Sequence, residues 1–397
     1  MSCIDRFTVS AILTIALWDA GATAAREVAP TNDLPNPYQT VAPWGKLPDG
    51  RTWGALNAVA IDNDGESIWV ATRCGANPEI PPGGSPFAYD TCAGSSVAPV
   101  LKLDASGNVL KSFGADMFVF PHKIHVDRDG NVWVVDERSA NERERKKHPG
   151  DKAKGHTVVK FSPEGEVLLT IGTPGVPGNP PEALTEPTSV VVAPDGDIFI
   201  AEGHSGQASD SPPATVARIS RFTKDGKFVK SFGKLGSGPA EFRTPHDITM
   251  DSQGRLWVAD RGNMRIQVFD SNGTFLREMK INLPVPPGAH TAIGPTPANP
   301  ESVKGTMGPG APWAICITPG PTQYLYASDA FPGRIYKMDL EGHVLGVLGK
   351  AGKQLKQFGW IHEIHCQSEK ELYVGEVLNW RVQKLILHPA KGAATAK

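Results

Sequence analysis

Apolar residues along this chain fall into short runs broken every few residues by Gly, Asn or Asp. One phrase recurs: a β-branched run closing near Asp, a tight turn, a second run rich in aromatic and β-branched residues, and an acidic exit. It reads Ala58–Asp62 with Ser67–Thr72, then Ile124–Asp127 with Asn131–Asp136, then Ser189–Val192 with Asp197–Glu202. It returns as Asp247–Asp251 with Arg255–Asp260, Ala314–Ile317 with Tyr324–Asp329, and Glu363–Cys366 with Glu371–Glu376. A third run follows, as in Arg265–Phe269, and a fourth after another Gly turn, as in Phe228–Gly233. Alternation with period two and turn residues at each break mark antiparallel hairpins rather than helices. Four strands per unit, repeated at roughly 50 to 65 residues, predict an all-β fold: a six-bladed β-propeller of four antiparallel strands per blade. The sixth copy stops at Leu385-Ile386-Leu387 without a fourth strand. Tyr38 to Gly45 ends in Trp44-Gly45-Lys46-Leu47, like Phe232-Gly233-Lys234-Leu235. An N-terminal strand completing the last blade closes the ring and removes its open edge.

The first residues follow a different logic. Arg6, the apolar run Phe7–Trp18 and the small residues Ala20–Ala25 have the three parts of a secretory signal, with cleavage expected after Ala24. The predicted organisation is a signal over 1–24, a propeller over 25–388 and a flexible tail over 389–397. The mature protein is expected to be secreted or periplasmic. Cys3 leaves with the signal, and four cysteines remain. Cys74 and Cys92 bracket a Pro/Gly-rich insertion and are expected to form a disulfide in an oxidising compartment. Cys316 and Cys366 sit in apolar runs; buried thiols are one reading, and their pairing is left open. Forty basic against forty-two acidic residues leave no excess to attract nucleic acid. The Phe7–Trp18 run is too short to span a bilayer, so no membrane association is expected after cleavage.

Candidate chemistry appears at one repeat position. The residue opening the first strand is Asn57, His122, Thr188, His246, Trp313 and His362 in blades one to six. First strands line the central channel, so histidines on alternate blades converge on the axis at one height. Three neutral imidazoles with an open fourth position are the ligand set of a catalytic zinc. His125 and His365 lie three residues further on; strand alternation predicts that they face away, in structural roles.

Two further sets of residues carry a resemblance. Trp257-Val258-Ala259-Asp260-Arg261-Gly262-Asn263-Met264-Arg265-Ile266-Gln267-Val268-Phe269 reads as an NHL repeat, with a weaker copy at Val374–Gln383. Phe120-Pro121-His122, Thr244-Pro245-His246 and Trp360-Ile361-His362-Glu363-Ile364 look like zinc-binding segments. Together they resemble the lyase domain of the peptidylglycine α-amidating enzymes, the peptidyl-α-hydroxyglycine α-amidating lyases. The resemblance implies zinc on His122, His246 and His362. It also implies a structural calcium held by the Glu363 carboxylate and the carbonyls of Ile124 and of Val59 or Ala60. Arg73 matches the arginine that binds the substrate carboxylate, and Arg261 a second one. The expected reaction is C–N cleavage of an amidoglycolate-like substrate, a peptide or small-molecule carboxylate, to an amide and glyoxylate by a monomeric enzyme. The sequence departs from the family in three places. His204 stands where the family has a catalytic tyrosine, which makes it the candidate base, a metal ligand or a loop residue; Tyr89 ranks second as base. Trp360 replaces a methionine, and Ser205–Thr215 is inserted near the site. The alternatives are another metal-dependent lyase or hydrolase on a small carboxylate, or a non-catalytic binding propeller. Asn141–Lys147 reads as a solvated charged loop, and Pro284–Pro312 as a lid or a disordered bridge.

Overall fold

The alternating runs fold as six four-stranded antiparallel sheets. The computed structural model describes residues 38–41, 44–48, 51–75 and 90–387. The expected signal, Cys3, the insertion that carries Tyr89 and the C-terminal tail lie outside the described residues.

Each blade places a largely buried first strand inside and a half-exposed fourth strand outside. The first strand of blade one, Leu56–Ile61, is buried throughout, whereas its fourth, Val109–Phe113, alternates between half-buried and exposed. That gradient explains why the sequence pattern weakens toward the end of every repeat. Successive first strands pack on one another around the ring, and that of blade six, Ile361–Ser368, returns to that of blade one. The ring closes through Tyr38–Val41, which pairs antiparallel with Arg381–Leu387, Tyr38 opposite Leu387 and Val41 opposite Lys384. Hydrophobic clusters fill the spaces between neighbouring blades, as where Trp69, Ala58 and Val100 meet Phe118, Ile124 and Val134. Within blades one, two and four the indoles of Trp69, Trp133 and Trp257 donate to Asp62, Asp127 and Asp251 at 2.6, 3.0 and 2.9 Å. This bond ties the turn after the first strand to the second, satisfying the one polar atom of a buried ring.

A β-bulge recurs at the residue that opens the first strand. The register slips across Asn57, His122, Thr188, His246 and His362. A bulge adds a residue that the partner strand does not match, so it resets the side-chain alternation. His122 and the following Lys123 therefore both reach the channel. The alternation expected for His125 and His365 is reversed for the same reason. They line the lower channel, in a cavity of about 650 Å³ that also takes in Lys123 and Glu363. Their roles are structural: His125 Nε2 accepts from the Val192 N–H of blade three at 3.3 Å, and His365 Nδ1 from the Ile61 N–H of blade one at 3.3 Å.

Cys74 and Cys92 are bonded, and so are Cys316 and Cys366. The second bond answers the pairing left open for Cys316 and Cys366. It joins the first strands of blades five and six, 50 residues apart in sequence, a juxtaposition made by ring packing rather than by any local loop. Asn141–Lys147 also differs from the expected loop. Glu142–Lys147 is a helix with a reciprocal cap between Asn141 and Glu144, and Glu144 is buried against Arg138 at 2.8 Å.

Two outcomes follow. Alkylation without reductant should label none of Cys74, Cys92, Cys316 and Cys366. Replacing Cys316 and Cys366 by serine should cost about 2–4 kcal/mol of stability, the range for a loop of this size; a labelled thiol in the native protein would contradict the pairing. The second outcome concerns acid. Burial lowers the pKa of His125 to about 4 and of His365 to about 3, from 6.5. The unfolded chain takes up these protons first as pH falls. Stability from the neutral rings is thus complete above about pH 6.5 and is lost as pH falls toward 4 and 3. Thermal midpoints measured between pH 7 and 4 should fall less steeply for the His125→Gln/His365→Gln variant than for the parent; superimposable slopes would refute the assignment.

Candidate metal centre

The bulged residues of blades two, four and six bring three imidazoles together. The ring centroids of His122 and His246 are 5.1 Å apart, and His362 lies 4.6 and 4.7 Å from them. Each is aimed by the next blade. His122 Nδ1 donates to the Thr188 carbonyl at 2.6 Å, His246 Nδ1 to Trp313 at 2.6 Å and His362 Nδ1 to Asn57 at 3.0 Å. The acceptors are the opening residues of blades three, five and one, the alternate positions that carry no histidine. Donation from Nδ1 leaves the lone pair on Nε2, and this tautomer follows from the carbonyl partner. Burial, reinforced by the neighbouring arginines, holds all three well below the usual histidine pKa, so they are neutral.

A fourth imidazole, His204, stands against this group. Its ring lies 5.5 Å from His122 and 5.7 Å from His246, and ring nitrogens of His122, His204 and His246 all fall within 4.8 Å of one another. Gly203 makes the turn possible: at φ 116° a Cβ would sit 2.0 Å from the Val216 carbonyl oxygen. The chain then turns sharply out of the second strand, and the short turn His204–Gln207 presents the ring. The first residues of the expected insertion thus border the site.

The residue leaving each second strand forms the rim. Its N–H donates to the carbonyl two residues before the bulged position: Arg73 to Ala55, Glu137 to Phe120, Gly203 to Glu186 and Arg261 to Thr244. That bond fixes Arg73, Glu137 and Arg261 beside the imidazoles. Arg73 is 3% exposed and stacks 3.5 Å over the Phe120 ring. Arg261 is 1% exposed, stacks 4.3 Å over Trp313 and donates to His204 Nε2 at 3.2 Å and Gln207 Oε1 at 3.1 Å. Burial lowers both guanidinium pKa values to about 9, with Glu137 opposing the shift, so both remain charged at neutral pH.

Glu137 borders the imidazoles and is the site residue that the sequence pattern does not single out. Its Oε2 lies 3.2 Å from His122 Nε2 and its Oε1 3.6 Å from His204 Nδ1. Burial raises its pKa to about 7, against the pull of Arg73 and Arg138. The available signal was its position, which matches that of Arg73 and Arg261 in the repeat. Trp360 packs 5.2 Å from Trp313, whose ring is 5.7 Å from His246, so the methionine replacement walls the site with aromatic rings. The Pro284–Pro312 connection touches this wall: Trp313 Nε1 donates to the Thr306 carbonyl at 2.6 Å.

The donor set fits a metal ion. His122 Nε2, His246 Nε2 and Glu137 Oε2 are buried acceptors without a hydrogen-bond donor. Lone pairs facing one another in a dry site are costly unless a proton or cation lies between them. Neutral imidazoles suit zinc. The residues expected to hold calcium lie one level down. Glu363 is buried, but its Oε1 is 2.5 Å from the Lys123 ammonium, which also lies 2.7 Å from Asp247. Burial alone would lower the Lys123 pKa; the two carboxylates outweigh it, and the value is raised. Ile124 is buried in the core between blades one and two, and Val59 in that between blades six and one. A divalent cation in contact with Glu363 would meet a fixed positive charge, so this level does not fit calcium.

Residues 242–269 match the NHL repeat family model. Among curated relatives, human NHL repeat-containing protein 3 is 29% identical over 59% of this chain and 57% of its own length. Peptidyl-glycine alpha-amidating monooxygenase A of Xenopus laevis is 28% identical over 81% of this chain and 29% of its own. Peptidyl-alpha-hydroxyglycine alpha-amidating lyase 2 of Drosophila melanogaster is 33% identical over 41% and 34%. The chain thus spans little more than half the length of the first of these relatives and about a third of the other two. A virginiamycin B lyase from Staphylococcus aureus superposes with a TM-score of 0.50 at 16% identity, covering 88% of this chain and 99% of that one. A gluconolactonase from Xanthomonas campestris gives 0.51 at 14%, covering 86% and 88%. These two structures share the fold alone. The chain is a six-bladed β-propeller with one segment that matches the NHL repeat, and an NHL repeat-containing protein and amidating lyases are among the proteins it is similar to.

Proposed function

We propose that this protein is an exported zinc-dependent lyase that cleaves the C–N bond of an N-acyl-α-hydroxyglycine, giving an amide and glyoxylate. The observation that carries the reading is the convergence of four imidazoles, two buried guanidinium groups and one buried carboxylate at one level of the channel. The amidating lyases among the relatives support the reaction class. The two disulfides are compatible with an oxidising compartment.

His122, His246 and His362 would hold the zinc, which supplies a Lewis acid that acidifies a bound hydroxyl. Arg73 and Arg261 bind the substrate carboxylate. Both are held by stacking on an aromatic ring, so their planar forks are pre-set for two oxygens. When Arg261 turns to the carboxylate, His204 Nε2 is released and accepts the carbinol proton. The Glu137 carboxylate on the Nδ1 side stabilises the imidazolium that forms, as a carboxylate does for a histidine base in acyl transfer. The hydroxyl oxygen's electron pair becomes the carbonyl of glyoxylate as the C–N bond breaks, and the proton passes to the departing amide nitrogen. A second role for His204 rests on its place among the mutually close ring nitrogens: it would be a fourth metal ligand.

With α-hydroxyhippurate as substrate, the zinc-loaded protein should release glyoxylate and benzamide in equal amounts. Glu137→Gln and His204→Ala should each lower kcat by about a hundredfold or more, the low end for a proton-transfer group, with zinc content unchanged. Loss of zinc in His204→Ala would make it a ligand. Bound zinc without glyoxylate release would redirect the reading to another small carboxylate, and the absence of both would leave a binding propeller.

A further inference from the structure

Directly below the imidazoles lies a second ring. The residue after each bulge is Ala58, Lys123, Ser189, Asp247 and Glu363 in blades one, two, three, four and six, with Ala314 at the matching place in blade five. Charge again falls on alternate blades. The Lys123 ammonium contacts Glu363 Oε1 at 2.5 Å and Asp247 Oδ1 at 2.7 Å. All three residues are buried, at 8%, 2% and 1% exposure. Asp247 extends the link to the blades between: Oδ1 accepts from Ser189 Oγ at 2.9 Å, and Oδ2 from the Ile315 N–H at 2.9 Å. One ammonium on blade two thus gathers carboxylates from blades four and six, and through Asp247 the backbone of blade five and a side chain of blade three.

We propose that Lys123 is the resident cation of this channel: its tethered ammonium bridges the Asp247 and Glu363 carboxylates, and the ring closes without calcium. Two buried carboxylates on facing strands need a positive charge between them. Calcium would meet that need with six to eight oxygens at 2.3–2.6 Å, but Glu363 Oε1 is already occupied by a donor that rides on the protein itself. A covalent cation cannot be removed by a chelator and carries no selectivity between metals. This inference concerns the level below the imidazoles and stands or falls independently of the lyase reading.

The test uses the full chain, unsubstituted at the imidazoles, with zinc resupplied in slight excess after each chelation so that only calcium differs. After dialysis against EGTA, the parent protein should hold less than about 0.1 calcium per chain by elemental analysis, and its thermal midpoint should be unmoved by calcium added to about 1 mM. Lys123→Ala uncovers Asp247 and Glu363. It should be less stable than the parent in EGTA and should gain about 3 °C or more on adding calcium. Lys123→Arg keeps the charge and should ignore calcium as the parent does. Stoichiometric calcium in the parent, with a midpoint that falls on chelation, would overturn the proposal even if the alanine variant does not fold. A folded Lys123→Ala protein indifferent to calcium would overturn it equally.

Discussion

Three hydrogen bonds from imidazole Nδ1 to the opening carbonyl of the next blade organise the centre of this molecule. Each bond spans a blade boundary, so it joins two blades and aims a ring in one step. It also fixes which nitrogen carries the proton, and so which one can bind a ligand. The bond depends on the β-bulge near the start of the inner strand, because an unbroken alternation would send either the histidine or its successor away from the channel. The bulge costs one unmatched residue in each of blades one to four and six. In return two consecutive side chains face the axis, and two chemically distinct rings are stacked in one channel.

The stack separates jobs that would conflict at a single level. The upper ring is neutral and rich in acceptors, which suits a soft-to-borderline metal. The lower ring is charged, with the Lys123 ammonium set between the Asp247 and Glu363 carboxylates. Around the upper ring, the exits of the second strands add Arg73, Glu137 and Arg261, fixed by backbone bonds to the segment before each bulge. A repeat architecture therefore yields an asymmetric site. The backbone positions are equivalent, and the chemistry comes from which blade carries which side chain.

Much of this was legible in the sequence, because propeller repeats convert spatial equivalence into sequence offset. The six blades, the closing strand and the histidines on alternate blades could be read from alternation and position alone. The same logic also pointed to Glu137, which shares its offset with Arg73 and Arg261. It was passed over because an acidic residue after an acidic strand end looks like solvated surface. The direction of His125 and His365 was misread because a bulge leaves no mark in a hydrophobic pattern; it shows only in the register of paired strands. The bond between Cys316 and Cys366 needs the packing of two blades, and residue spacing carries no trace of that. Lys123 was overlooked because a lysine in a strand is expected to reach water, whereas here two carboxylates hold it inside.

The central claim is that alternate-blade imidazoles, pre-aimed by their neighbours, make one metal centre. Diffraction data collected just above and just below the zinc absorption edge would test it most directly. The account predicts one anomalous peak per chain, about 2.0–2.1 Å from a ring nitrogen of each of His122, His246 and His362. No peak there in zinc-supplied crystals, or one bound elsewhere on the chain, would contradict it.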